Sequence, residues 1–401
     1  MDIISRKLYA DRIDSWLNKG LIIVLTGQRR VGKSFILKDF ANRHGNEPSA
    51  NIIFIDKEKR DFNFIKTHEE LDSHINNHFD KNKHNYILID EIQEIDGWEN
   101  AVRSYRTEES TNIIITGSNS QMFSSELGTL LGGRYIEIYI QPLSYKEFLE
   151  FHNLHDNDDT LFKYLNYGGL PGLRAVGLDD EYQVSEYLKS VFNTVLLKDI
   201  VERHNIRNIP FLRKLTEYLA DTTGKPLSAT NISKYMKSTG QDVSVTIVLD
   251  YIQYLCESYL IDCVKRYNLH GRKMLESQQK TYFGDVGLRN MIVGGERAKN
   301  IEKVIENIVY QHLVRLGYQV TVGELRSAEI DFVCRKNNKT KYVQAAYLIA
   351  NEETETREFG NLAKINDHYP KYVISATPLV KKADYNGITH LGLREFLLKG
   401  L

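Results

Sequence analysis

Short apolar runs separated by mixed, helix-like stretches fill the first third of the chain. "LIIVLT" is followed by "SFILKDFANRH", then by "NIIFID", "YILIDEI", "NIIITGS" and "YIEIYIQPLS". Strands buried on both faces read as unbroken apolar runs, and their separation by helices implies right-handed crossovers in a parallel sheet. Residues 1–150 are therefore expected to form an α/β domain. From 151 to 295 helical periodicity takes over, as in "FLRKLTEYLADTTG". There "LSATNISKYMKSTG" and "DVSVTIVLDYIQYL" read as two helices joined by a glycine-containing turn, and "LIDCVKRYN" with "QKTYFGD" as a strand pair. That order predicts a winged helix-turn-helix. From 296 to 401 a long helix, "NIEKVIENIVYQHLVRLG", leads into a strand pair and renewed α/β alternation, a third domain. "GGLPG" at 168–172 is the expected hinge.

Composition adds exclusions. The 401 residues carry a net charge of −1, so no chain-wide field recruits nucleic acid or an anionic membrane. Three cysteines, Cys256, Cys263 and Cys334, are odd in number and lack C-x-x-C spacing, which argues against a disulfide framework and a zinc site. The first twenty residues have no apolar h-region, and every apolar run is too short to span a bilayer. The expectation is a cytoplasmic protein with no membrane partner.

The chemistry concentrates at "GQRRVGKS", residues 27–34, which fits G-x-x-x-x-G-K-[ST] between an apolar strand and an amphipathic helix. Gly27 and Gly32 let the backbone curl so that N–H groups of Gln28, Arg29, Arg30, Val31 and the helix start through Phe35 face phosphates. Lys33 is placed to reach the β and γ phosphates, and the Ser34 hydroxyl to ligate Mg2+. "NYILIDE" ends a strand in two adjacent carboxylates: Asp90 for the magnesium shell, Glu91 to orient or deprotonate the attacking water. "NIIITGSNS" brings Ser118 or Asn119 to the carboxyl edge of another strand, as a γ-phosphate contact or equally as the N-cap of "QMFSSEL".

Taken in order, the P-loop, "LIDE", "ITGSNS", "GGRY", "QPLSYKEFL", "YGGLPG", "LLKDIVERHNI", "TYFGDVGLRN", "EIDFV" and "YVQAAY" resemble bacterial and archaeal AAA-type ATPases with a C-terminal domain of unknown function 4143. The resemblance spans nearly the whole chain. It implies an ASCE-type P-loop ATPase using ATP, a winged-helix middle and a C-terminal fold similar to PD-(D/E)XK nucleases. It also places Arg134 where such ATPases carry an arginine finger that completes a neighbour's site, which implies self-association. The alternative is a surface arginine paired with Glu137 or another nearby acid. An unknown protein is the other partner class.

Two regions read against nucleic-acid chemistry. "DVSVTIVLDYIQYLCESYL" has no Arg or Lys and offers Ser244, Thr246, Asp242 and Asp250, a poor base-reading face. Lys234, Lys237, Lys265, Arg266, Arg272 and Lys273 around it could grip phosphates or be ordinary solvated charge. In the C-terminal part, Glu306 and Asp331 match the first two carboxylates of a nuclease centre, whereas Gln344 and Ala346 stand where Glu-x-Lys would. The expectation is a nuclease-like scaffold without cleavage. An ATP-gated nuclease and a non-hydrolysing ATP-binding module are the rivals.

Overall fold

The computed structural model describes residues 3–117, 131–294, 300–325, 328–349, 352–377 and 383–401. The chain divides into two compact units, one of residues 1–141 with 257–259, the other of residues 142–256 with 260–401.

In the first unit, α1 (Lys7–Asp14), β1 (Ile22–Thr26), α2 (Lys33–His44), β2 (Ala50–Asp56), α3 (His68–His78), β3 (His84–Asp90), α4 (Trp98–Tyr105), β4 (Thr111–Thr116) and β5 (Tyr135–Tyr139) follow in order. The sheet runs β2-β3-β4-β1-β5 and every pairing is parallel. β1 is buried along its whole length, as its unbroken apolar run requires of a strand with both faces covered. On one face, Leu71 and Ile75 of α3 and Trp98 and Val102 of α4 pack on Ile87, Ile89, Ile113 and Ile115. α2 packs against β2, β3 and β4 with Leu37 and Phe40 fully buried. Because β4 lies between β1 and β3, the turn after β1 and the carboxylates after β3 flank the end of β4 at one sheet edge.

The second unit is helical up to residue 257 and then builds an eight-stranded mixed sheet, ordered β12-β13-β11-β10-β9-β8-β6-β7. Its strands are β6 (Ile261–Asn268), β7 (Lys273–Phe283), β8 (Gln319–Leu325), β9 (Ala328–Lys336), β10 (Lys339–Ala346), β11 (Lys371–Ser375), β12 (Ala383–Tyr385) and β13 (Ile388–Gly392). The helix pair expected for a helix-turn-helix is present as Ala229–Ser238 and Val245–Glu257. The strand pair after it, however, is no free wing: β6 pairs in parallel with β8, so the sheet runs across residue 295. The "LLKDIVE" stretch of the family motif forms a π-helical segment, Val195–Glu202.

"GGLPG" is a clamp rather than a hinge. Gly168 has φ +74°, and a Cβ on it would lie 2.3 Å from the Asp285 carboxylate. The Gly169 N–H donates to the other oxygen of Asp285 at 2.8 Å, and its carbonyl accepts from Leu143 N at 2.6 Å. Asp285 also caps the helix Val286–Val293 through Leu288 N. Glycine is needed here for close approach, which sequence alone does not separate from flexibility. Among the described residues no helix is long and apolar enough to cross a membrane.

Candidate nucleotide site

The turn after β1 is held from three sides. Gly27 has φ +133°, and a Cβ would meet the Ile140 carbonyl oxygen at 2.2 Å, so only glycine lets the chain leave β1 here. Arg30 is left-handed at φ +71°. Arg6, almost fully buried, donates to the carbonyls of Val31 (3.1 Å) and Gln141 (2.8 Å) and so anchors the loop's crest. Lys33 is 4% exposed and folds its ammonium back onto the carbonyls of Gly27 (2.8 Å) and Gln28 (3.1 Å). Gln28 is buried with neither amide atom hydrogen-bonded. Arg29 is partly buried, and Phe35 is half exposed with Lys38 5.5 Å over its ring.

Across the edge stand the carboxylates. Asp90 ends β3 with no exposed surface. Its Oδ1 accepts from Thr116 Oγ1 at 2.6 Å, while its Oδ2 is buried without a hydrogen-bond partner. Burial pushes the Asp90 carboxyl up to about 6, against the hydroxyls of Thr116 and Ser34, with Glu91 and Asp56 adding repulsion. Glu91 has a left-handed backbone, φ +51°, an uncommon conformation for a residue with a side chain. Its N–H donates to Thr116 Oγ1 at 2.9 Å and its carboxylate accepts from Gln93. Thr116 thus bridges both acids. Asp56, level with Asp90 in the neighbouring strand, pairs with Lys38 at 3.5 Å.

Residues 19–149 match a family model described as an AAA domain, and residues 158–299 match one described as a domain of unknown function, DUF8612. An uncharacterized protein of Haemophilus influenzae is 33% identical over 405 residues, spanning 99% of this chain and 99% of its own. The chain belongs to its family. A second relative, the uncharacterized protein MJ1544 of Methanocaldococcus jannaschii, is 30% identical over 352 residues, 84% of this chain and 77% of that one. Among solved structures the Walker-type ATPase PABY2304 of Pyrococcus abyssi shares the fold, with TM-score 0.51 and 16% identity over 73% of this chain and 96% of that one. The expected domain 4143 is corrected: the model matched after the AAA domain is DUF8612.

Within this AAA-family chain the remaining expected residues fall in different places. Ser118 and Asn119 lie outside the described residues. Arg134 is exposed just before β5, its carbonyl bonded to Ile22 N, so it sits at the sheet edge opposite Gly27. The length of β1, five residues, or roughly 16 Å, separates the two edges. Glu137 does not pair with Arg134; its carboxylate accepts from Thr26 (2.6 Å) and Tyr259 (3.3 Å). Arg134 instead lines a cleft with Arg103 and Arg106, and burial, with Arg134 and Arg103 nearby, lowers the Arg106 pKa.

The C-terminal carboxylates gather around a cation that the sequence did not point to. Lys280, on β7 and 2% exposed, lies 3.0 Å from Glu306, 2.7 Å from Glu329 and 3.8 Å from Asp331. Burial alone would lower its pKa, but Glu306, Asp331 and Glu329 outweigh that and hold it raised. Tyr282 donates to Glu306 at 2.7 Å, Ala345 N to Asp331 at 2.9 Å, and Asp331 N to Gln344 at 3.3 Å. The cation missing at Ala346 is supplied from another strand. Among the described residues no cluster of His, Cys, Asp and Glu is arranged to hold a metal ion.

Proposed function

We propose that this protein is a magnesium-dependent ATPase whose nucleotide state is read out by its second unit. The observation that carries the reading is the buried, partnerless Oδ2 of Asp90 beside a glycine turn that holds Lys33 and Ser34. An ionised oxygen with no donor is costly to bury unless a cation or proton meets it. Oxygen ligands from one carboxylate and one hydroxyl suit Mg2+, which takes the rest of its shell from water and phosphate. When bound, the ion would neutralise charge on the phosphates; Ser34 and Asp90 are the residues that would hold it.

The chain's own groups take the other parts. Lys33 exchanges the carbonyls of Gly27 and Gln28 for phosphate oxygens, and the loop N–H groups from Gln28 to Phe35 donate to phosphate beside it. Glu91 orients or deprotonates the attacking water, its carboxylate steadied by Gln93. Ser118 or Asn119 contacts the γ phosphate. Arg134, at the far sheet edge, serves the site of a second copy and not its own. The Lys280 cluster is an internal ion-pair network, which leaves the nuclease-like half as a scaffold without cleavage. Calorimetry with ATP in magnesium buffer tests the core of this reading. Wild type takes up the nucleotide and Lys33→Ala does not; no uptake by wild type refutes it.

A further inference from the structure

The second unit carries a cleft of 770 Å³ between the β6–β7 turn, β9, β10 and the segment after the helix Glu352–Ala363. Its volume is that of a ligand site. Its lining shares no residue with the Lys280 cluster. Two kinds of side chain dominate it. Arg272, Arg335 and Lys364 bring positive charge, and Tyr267 and Tyr369 bring aromatic rings, with Tyr342 buried at the wall. The Arg335 guanidinium lies 3.9 Å over the Tyr267 ring, and both residues are partly exposed, a planar pair on which another flat group can stack. Tyr369 is 48% exposed and meets Tyr342 edge-on at 6.2 Å.

Asp367 is the one carboxylate lining the cleft among the described residues, and it is already committed. It accepts from the Tyr342 hydroxyl (2.6 Å) and from Tyr369 N (3.1 Å), and pairs with Lys371 at 3.6 Å. The cleft therefore presents cations that its one carboxylate does not neutralise, together with aromatic rings. An acidic peptide would use the cations and leave the tyrosine faces idle. A duplex buries its base faces against each other, so it too leaves them idle. A single strand offers phosphates and unstacked bases together.

We propose that this cleft binds a single-stranded segment of nucleic acid, with phosphates on Arg272, Arg335 and Lys364 and bases against Tyr369 and the Arg335–Tyr267 pair. The site is separate from the nucleotide site, and the helix Val245–Glu257, expected to read DNA poorly, takes no part. The full chain, without ATP, is titrated with fluorescent oligothymidine and oligouridine of about eight nucleotides over a range of salt. Binding of either supports the proposal. Three phosphate contacts on a single strand give a log K against log salt slope of about −2, and the double variant Arg272→Ala, Lys364→Ala brings it to about −0.7.

Tyr369→Ala weakens binding roughly tenfold and leaves the slope unchanged, because it removes stacking and no charge. These substituted residues are exposed, so circular dichroism and ATP turnover of the variants stay those of wild type. Lys33→Ala binds the oligonucleotide as wild type does, which keeps this test apart from that of the ATPase reading. Binding of neither oligonucleotide at low salt overturns the proposal. So does a Tyr369→Ala variant of unchanged affinity, or polyglutamate or duplex competing as well as the single strand.

Discussion

Asp90 and Asp331 are both acids on sheet strands, both buried, and both held above the ordinary carboxylate range, yet their surroundings are opposite. Around Asp331 the chain has brought its own cation: Lys280 touches three carboxylates and a tyrosine hydroxyl closes the ring. Burial and Glu306 raise Asp331 against the pull of Lys280. Around Asp90 the chain brings hydroxyls and a further acid, and one oxygen is left with nothing. A closed charge network stabilises its own fold, whereas an open one costs stability until a ligand supplies what is missing. That difference, more than the identity of either aspartate, is why Asp90 belongs to the proposed site and the Lys280 cluster to the proposed scaffold.

The largest effect that could break this contrast is on turnover. Glu91→Gln should lower the steady-state ATPase rate by about 10²–10⁴ while calorimetry shows ATP binding intact. A variant with wild-type rate would leave the open cluster without its assigned base. Next comes Lys280→Met, which strands buried carboxylates around an apolar tip. It should cost about 3–5 kcal/mol in urea unfolding at neutral pH, the usual penalty for breaking one side of a buried pair. Loss of under about 1 kcal/mol would mean the network is not a scaffold.

Asp90 should behave in the reverse sense. Its folded pKa of about 6 lies above the ordinary aspartate value of 3.8, so between the two the folded state holds a proton that the unfolded chain releases. The associated stability is fully present below about pH 4 and disappears as pH rises through 6. At pH 7 the charged, unliganded Asp90 then costs on the order of 3 kcal/mol. Asp90→Asn should recover about 2 kcal/mol of unfolding free energy at pH 7 and nothing at pH 4, while abolishing magnesium-dependent nucleotide uptake. A destabilised Asp90→Asn at pH 7 would show that the open oxygen carries no cost. The smallest effect sharpens the closed side: Tyr282→Phe should lose about 1.5 kcal/mol, one hydrogen bond to a charged acceptor, by the same unfolding measurement.

Much of the first site was legible because its signals are local. The glycine turn, Lys33, Ser34 and the paired acids after β3 each follow an apolar run, and the strand they follow fixes which edge they reach. Thr116, Asp56 and Arg6 were not legible. Their partners are 26, 34 and 25 residues or more away, and only the order β2-β3-β4-β1 shows which strand ends become neighbours. Lys280 escaped for the same reason. A search for a cation two residues after Gln344 looks along one strand, and the cation arrives from another. "GGLPG" misled because a glycine pair signals a hinge and a tight contact alike, and the contact partner, Asp285, lies more than a hundred residues on.

A hydroxyl owns a single proton. Thr116 has already given its own to Asp90, and its oxygen is receiving the Glu91 amide. It has nothing left to offer an incoming triphosphate unless it first lets go of the aspartate. Thr116 is thereby a latch between the two acids, and its release would be felt by both at once.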